Sequence, residues 1–262
     1  MIIVVLVILG LALGSFVNAF VWRLHEGMKW VNERSECTNC HHKLAALDLI
    51  PIFSWLWLKG RCRYCKRSIS IQYPIVELSV TVLFLISYYL WPEAISGWQI
   101  LLFSIWLILT TGLTALALYD LRYMILPTKL IYALSTLAVI STLINIALAN
   151  NPKISLINAL ISTLIGGGLF YILYMVSKGK WIGGGDVRLG FLLGLLAATP
   201  ARTFLIIFIA SLIGAAVSIV LMSTKHLKRK SLIPFGPFLI AGLFIVQFWG
   251  QQIINWYKGL FL

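Results

Sequence analysis

The chain has 262 residues, of which 60% are hydrophobic and only 11% charged, and its formal net charge is +13. A soluble domain is roughly 25% charged, and the apolar runs here are continuous where barrel strands would alternate, so the composition points to an all-α polytopic membrane protein. The positive charge does not imply a nucleic-acid partner, because the 21 Lys and Arg gather in particular loops, as a positive-inside bias requires.

Taken in order, apolar segments fall at about 2–22, 74–91, 98–118, 128–149, 155–177, 186–199, 201–222 and 235–257, which predicts about eight transmembrane helices. Residues 1–22 carry no basic residue ahead of the apolar run and no clear small-residue cleavage site, so they are expected to stay as a first span. Segment 23–73 holds nine Lys/Arg, and the side of the membrane it shares carries 18 against three on the other side (Lys153, Arg202 and Lys258). That asymmetry places the long loop in the cytoplasm. Three parts follow: a span over 1–22, a cytoplasmic insertion over 23–73, and a transmembrane bundle over 74–262. The sixth segment is short for a crossing. Gly166-Gly167-Gly168 and Gly190-x3-Gly194 suit close helix–helix packing.

All four cysteines lie in the insertion, as Cys37-x2-Cys40 and Cys62-x2-Cys65 with 21 residues between the pairs. Two such pairs complete a tetrahedral site, and with all four positions filled by protein the expected zinc is structural. A cytoplasmic setting keeps thiols reduced and disfavours disulfides. A segment this short has little core of its own, so metal would fold it. Lys59, Arg61, Arg63, Lys66 and Arg67 are expected to favour the thiolates. His41 and His42 read as solvated loop residues, and Glu77 as an interfacial carboxylate with a basic neighbour.

After Glu93, the remaining 169 residues contain two acids, Asp120 and Asp186. A carboxylate at membrane depth costs roughly 2.5–3.5 kcal/mol, which makes each a functional candidate. The bland alternatives are a pairing of Asp120 with Arg122 and a helix cap at Asp186. In the deduced topology both acids sit at the cytoplasmic ends of their helices and can meet at one depth. Two carboxylates that meet out of bulk water share a proton. One then activates water while the other hydrogen-bonds a scissile carbonyl. Gly183, Gly184 and Gly185, just before Asp186, are expected to supply non-helical backbone in an active-site loop.

These residues together resemble the type IV prepilin peptidase family, the bacterial Gly-x-Gly-Asp intramembrane aspartyl proteases. The resemblance runs through Gly14-Ser15-Phe16-Val17-Asn18, both cysteine pairs, Gln72-Tyr73-Pro74-Ile75-Val76-Glu77-Leu78, and Asp120-Leu121 with Ile125-Leu126-Pro127. It continues through Gly183-Gly184-Gly185-Asp186-Val187-Arg188-Leu189, where Arg188 replaces a common lysine, and Ile233-Pro234-Phe235-Gly236-Pro237-Phe238. It departs at Thr38-Asn39, where a proline is frequent. The resemblance implies an enzyme of the bacterial inner membrane that cleaves the basic leader from type IV prepilins or pseudopilins, with Asp120 and Asp186 catalytic. It also implies N-methylation of the new terminus with S-adenosylmethionine. The rival expectation is a proton-coupled transporter using the two acids as a relay, although the chain lacks the repeated halves such folds tend to show.

Overall fold

The computed structural model describes residues 1–28, 35–224 and 233–260. Lys29, Arg34, Lys225, Lys228, Arg229 and Lys230, all counted in the charge asymmetry, lie outside the described residues. The described chain is helical, with no strand and two isolated β-bridges. It divides into two compact units, Met1–Ala115 and Leu116–Leu262.

In the first unit, α1 (Ile2–Glu26) ends at Gly27, whose left-handed φ of 69° suits a residue without a Cβ. It packs on α3 (Gln72–Tyr89) at backbone distance. A Cβ at Gly14 would fall 2.5 Å from Glu77 Cα, and one at Gly10 would fall 2.7 Å from Thr81 Cα. Buried Asn18 seals this crossing, donating to Gly14 O at 3.3 Å and to Tyr73 O at 3.2 Å while accepting from Gln72 Nε2 at 3.1 Å. An unsatisfied polar group here would be costly. The start of α4 (Trp98–Tyr123) completes the core, where Phe103 and Leu107 meet Leu6, Val80 and Phe84. Its Trp106 Nε1 donates to Ser87 Oγ at 2.8 Å. Between α1 and α3 lie a 3-10 turn (Ala46–Leu49) and the short α2 (Phe53–Trp57).

The second unit holds the last turns of α4, then α5 (Thr128–Leu148), α6 (Pro152–Ser177), α7 (Gly184–Ala197), α8 (Pro200–Ser223) and α9 (Gly236–Gly259). Proline opens the first turn of α6, α8 and α9, where its missing N–H has no helical partner to lose. α7 is the centre of this unit and packs against α5, α6, α8 and α9. At about 21 Å it is shorter than a bilayer core. Its middle turns, from Val187 through Gly194, bury Leu189, Gly190, Leu192, Leu193 and Gly194 among those neighbours. The α6–α7 contact is the tightest. A Cβ at Gly190 would lie 2.5 Å from Gly166 O, and one at Gly194 would lie 2.4 Å from Ser162 O. The packing role expected for Gly166, Gly190 and Gly194 is what these distances describe, while Gly168 faces open space.

Each of the eight expected apolar segments coincides with a helix. Six of them (α1, α4, α5, α6, α8 and α9) are long and apolar enough to cross a membrane. The 18-residue α3 and the 14-residue α7 fall outside that set.

Candidate active site

Asp120 sits in the last turn of α4 and is 5% exposed. Its Oδ2 accepts the backbone N–H of Gly236 at 3.1 Å, the first residue of α9. Asp186 lies in the first turn of α7, half-buried, and its Oδ2 accepts the N–H of Gly183 at 3.3 Å. Each acid is thus held by an amide at a helix N-terminus, a setting that favours negative charge. The two carboxylates are within electrostatic reach of each other. Leu126 is the wedge among these parts: a Cβ on Gly185 would come 2.9 Å from its Cβ, and one on Gly236 would come 3.5 Å from its Cδ1.

Of the two bland alternatives, the pairing of Asp120 is not formed and the cap at Asp186 is. Among the described residues no ion pair joins Asp120 to Arg122, whose guanidinium stands over the Tyr123 ring at 5.6 Å. Asp186 does bond the residue ahead of its helix, so it acts as a cap while keeping its other oxygen available. Arg188 turns away and donates to Thr128 Oγ1 at 2.7 Å.

The glycine loop needs correction. Gly183 alone is extended, at φ −76° and ψ 151°, while Gly184 and Gly185 are the first residues of α7. None of the three has a positive φ. Their value is steric: Gly185 admits Leu126, and Gly183 carries no side chain beside the Asp186 carboxylate, which a Cβ there would approach to 3.5 Å.

Gly236 was not among the expected site residues. Its proline-flanked motif is visible in the sequence, but its closeness to Asp120 depends on a contact 116 positions apart. A Cβ at Gly236 would fall 2.6 Å from Asp120 Oδ2. Gly236→Ala should therefore displace the carboxylate at a strain of about 1–3 kcal/mol. Peptide cleavage should drop at least tenfold while the protein stays folded in detergent, its thermal midpoint lower by only a few degrees. Wild-type turnover in G236A would show that this amide does not position Asp120.

In the first unit the four cysteine sulfurs lie within 4.8 Å of one another, all as free thiols. Cys37 Sγ and Cys65 Sγ are 3.9 Å apart. A tetrahedral zinc with bonds near 2.3 Å sets its sulfurs about 3.8 Å apart, so the set fits that ion. The two pairs are built alike. Cys37 N–H bonds His42 O at 3.0 Å and Cys62 N–H bonds Arg67 O at 2.9 Å. The residue after each second cysteine is left-handed (His41 at φ 55°, Lys66 at φ 61°), and each turn is closed by a bridge, Glu36 to Lys43 and Arg61 to Ser68.

The basic side chains do less for the thiols than expected. The Arg67 backbone N–H and then the Asn39 amide, 3.6 Å from Sγ, bring Cys65 down to about 6. Arg63 Nε instead bonds Asp48 Oδ1 at 2.6 Å. Against a burial cost, Arg63, the Ala45 N–H and the Tyr64 hydroxyl hold the Asp48 carboxyl below its ordinary range. His41 meets Glu36 at 3.2 Å and the His42 ring lies on Tyr64, so neither takes a ligand position. Glu77 has no basic partner among the described residues. It accepts the Ile52 N–H at 2.7 Å and a bond from Ser15.

Comparison with known proteins identifies the family. Residues 8–91 match the bacterial peptidase A24 N-terminal domain, and residues 101–219 match the type IV leader peptidase family. The chain is 34% identical over 230 residues to the prepilin leader peptidase/N-methyltransferase of Aeromonas salmonicida, covering 87% of this chain and 76% of that protein. It is 30% identical over 274 residues to the protein of the same name from Pseudomonas aeruginosa, covering 96% and 91%. With the type 4 prepilin-like proteins leader peptide-processing enzyme of Escherichia coli it shares 32% over 255 residues, covering 89% and 88%. No solved structure matches it. The transporter reading finds no support in these relatives, and with matches covering both units the chain belongs to the type IV leader peptidase family.

Proposed function

We propose that Asp120 and Asp186 are the catalytic pair of a membrane-embedded aspartic endopeptidase. Its substrates are type IV prepilins or pseudopilins, cut behind their basic leader at the cytoplasmic face of the inner membrane. The observation that carries this reading is that the chain's two isolated acids lie in one compact unit, each bonded through one oxygen to a helix N-terminal amide.

The chemistry follows from that arrangement. One carboxylate takes a proton from a water molecule as its oxygen attacks the scissile carbonyl carbon. The other, protonated, hydrogen-bonds the carbonyl oxygen, where negative charge develops. Collapse of the tetrahedral intermediate breaks the C–N bond, and a proton passes to the leaving amine. The amides of Gly236 and Gly183 fix the two carboxylates without occupying their second oxygens. Gly183 leaves space beside Asp186 for an extended peptide.

The relatives' names also support N-methyltransferase activity, which would act on the amine that cleavage exposes. S-adenosylmethionine would supply the methyl group. Among the described residues no cluster of side chains marks its site. Cys37, Cys40, Cys62 and Cys65 would hold a structural zinc that shapes the insertion.

The test is a purified full-length chain mixed with a prepilin in micelles and followed by mass spectrometry. Loss of the leader alone supports the peptidase. A further methyl on the new terminus, seen only with S-adenosylmethionine, supports the second activity. An intact prepilin after prolonged incubation with well-folded protein overturns the assignment.

A further inference from the structure

The cytoplasmic insertion carries an apolar surface that neither activity uses. Leu47 and Phe53 are each 66% exposed, Leu56 is 59% and Trp57 is 86%. Their neighbour Trp55 turns the other way. Its Nε1 donates to Ile69 O at 3.1 Å, and its ring closes on Gly60, where a Cβ would come within 2.9 Å. The short α2 thus has one sealed face and one open apolar face. Clustered open apolar side chains mark a contact surface.

Three contacts set the depth of that face. Ile52, just ahead of α2, donates its N–H to Glu77 Oε2. The Glu77 Cα rests against Gly14 of α1. Gly14 stands nine residues before Arg23, the first charged residue of α1, which places it about 13 Å along the helix on the membrane side of Arg23. A Glu side chain spans at most about 5 Å from its Cα. Even fully stretched, Glu77 therefore holds the Ile52 amide several ångströms deeper than the level of Arg23. α2 begins below the charged end of its own neighbouring helix.

The charge around this face has one sign. Residues 35–71 hold six Lys/Arg and two acids. One of those acids, Asp48, is already taken by Arg63. Lys59 and Arg61 follow α2 closely, Lys66 comes after Cys65, and none of the three has a carboxylate partner among the described residues.

We propose that the 3-10 turn and α2 form an interfacial anchor seated in an anionic bilayer. Leu47, Phe53, Leu56 and Trp57 enter the boundary between acyl chains and headgroups, a level at which Trp is favoured. Lys59, Arg61 and Lys66 meet the lipid phosphates, and their attraction grows with the negative charge of the leaflet. The cysteine site is thereby held flat against the membrane surface instead of hanging from two linkers in the cytoplasm.

The test uses the full, metal-loaded chain in nanodiscs of equal parts phosphatidylcholine and phosphatidylglycerol. Subtracting the emission of Trp57→Phe from that of the native protein isolates the Trp57 signal. Lipids brominated on the acyl chain near the headgroup should quench that signal about twofold or more. Quenching by aqueous iodide without quenching by bromolipid overturns the anchor. As a second arm, benzoylphenylalanine placed at position 57 and irradiated should yield a lipid adduct. An adduct with a second copy of the chain or with added prepilin in its place overturns the proposal. Replacing Lys59, Arg61 and Lys66 with Gln should weaken the bromolipid quenching in phosphatidylglycerol. Equal quenching in the variant removes the anionic headgroup from the proposal. None of these readouts depends on cleavage, so the anchor and the peptidase assignment fail separately.

Discussion

Asp120→Asn and Asp186→Asn should each lower prepilin cleavage by about a thousandfold or more, the upper range for losing a positioned acid or base. Both substitutions preserve shape. Asn keeps an oxygen that can accept the N–H of Gly236 or Gly183, so helix packing should survive. What is lost is the ability to take up and release a proton. The double variant should be little worse than either single one, because groups that act as one unit do not contribute additively. The measurement is single-turnover cleavage of a purified prepilin. Methylation of a synthetic, already-cut N-terminal peptide serves as the fold control, and it should continue at the native rate. Cleavage within tenfold of native in either variant would show that the pair is structural and that the proton relay lies elsewhere.

Replacing any one of Cys37, Cys40, Cys62 or Cys65 with Ser should have the second large effect. Zinc bound at structural sites in small domains contributes roughly 10–16 kcal/mol of apparent binding energy, and a domain without its own core spends that energy on folding. The insertion fits this description: among the described residues of 35–71, Cys62 is the one buried apolar side chain. Each variant should lose zinc, measured by elemental analysis of purified protein. Limited proteolysis should then cut within 35–71 while the bundle stays intact. One zinc per chain retained in all four variants would rule out the tetrahedral site. The sign of the pH dependence follows from the thiols. Without metal, Cys65 titrates near 6, lowered first by the Arg67 N–H, whereas Cys40 is raised to about 11 despite its bond from the His42 N–H. Zinc must displace the Cys40 proton at neutral pH, so apparent affinity should rise with pH through that range. Acidification toward pH 6 and below should release the ion as Cys65 also takes a proton.

Much of this was legible in the chain itself, for identifiable reasons. Asp120 and Asp186 stood out because acids are almost absent from the later half. The cysteine pairs stood out because their spacing encodes geometry. The apolar segments matched helices because continuous apolar runs have few other solutions in lipid. What could not be read depended on tertiary contact. Gly236 is one glycine among 20 until α9 brings its amide to Asp120. Gly184 and Gly185 looked like loop residues by propensity, yet both are helical, and packing against Leu126 selects glycine at 185. Asn39 appeared as a departure from a familiar proline, and its amide points at Cys65. Glu77 was expected to find a cation and found a backbone N–H, a partner that no side-chain pattern announces.

The matching build of the two cysteine turns bears on how the metal arrives. Each turn is closed by its own backbone bonds, so either can clasp an incoming ion with two sulfurs before the other is near. The second clasp must then close over the 21 residues from 41 to 61, against a chain entropy that grows only with the logarithm of that length. Loading should therefore proceed as a capture followed by a cyclisation. The first step depends on the concentration of the ion; the second does not. A cobalt-loading trace should accordingly split into one phase that quickens with added metal and one whose rate stays constant.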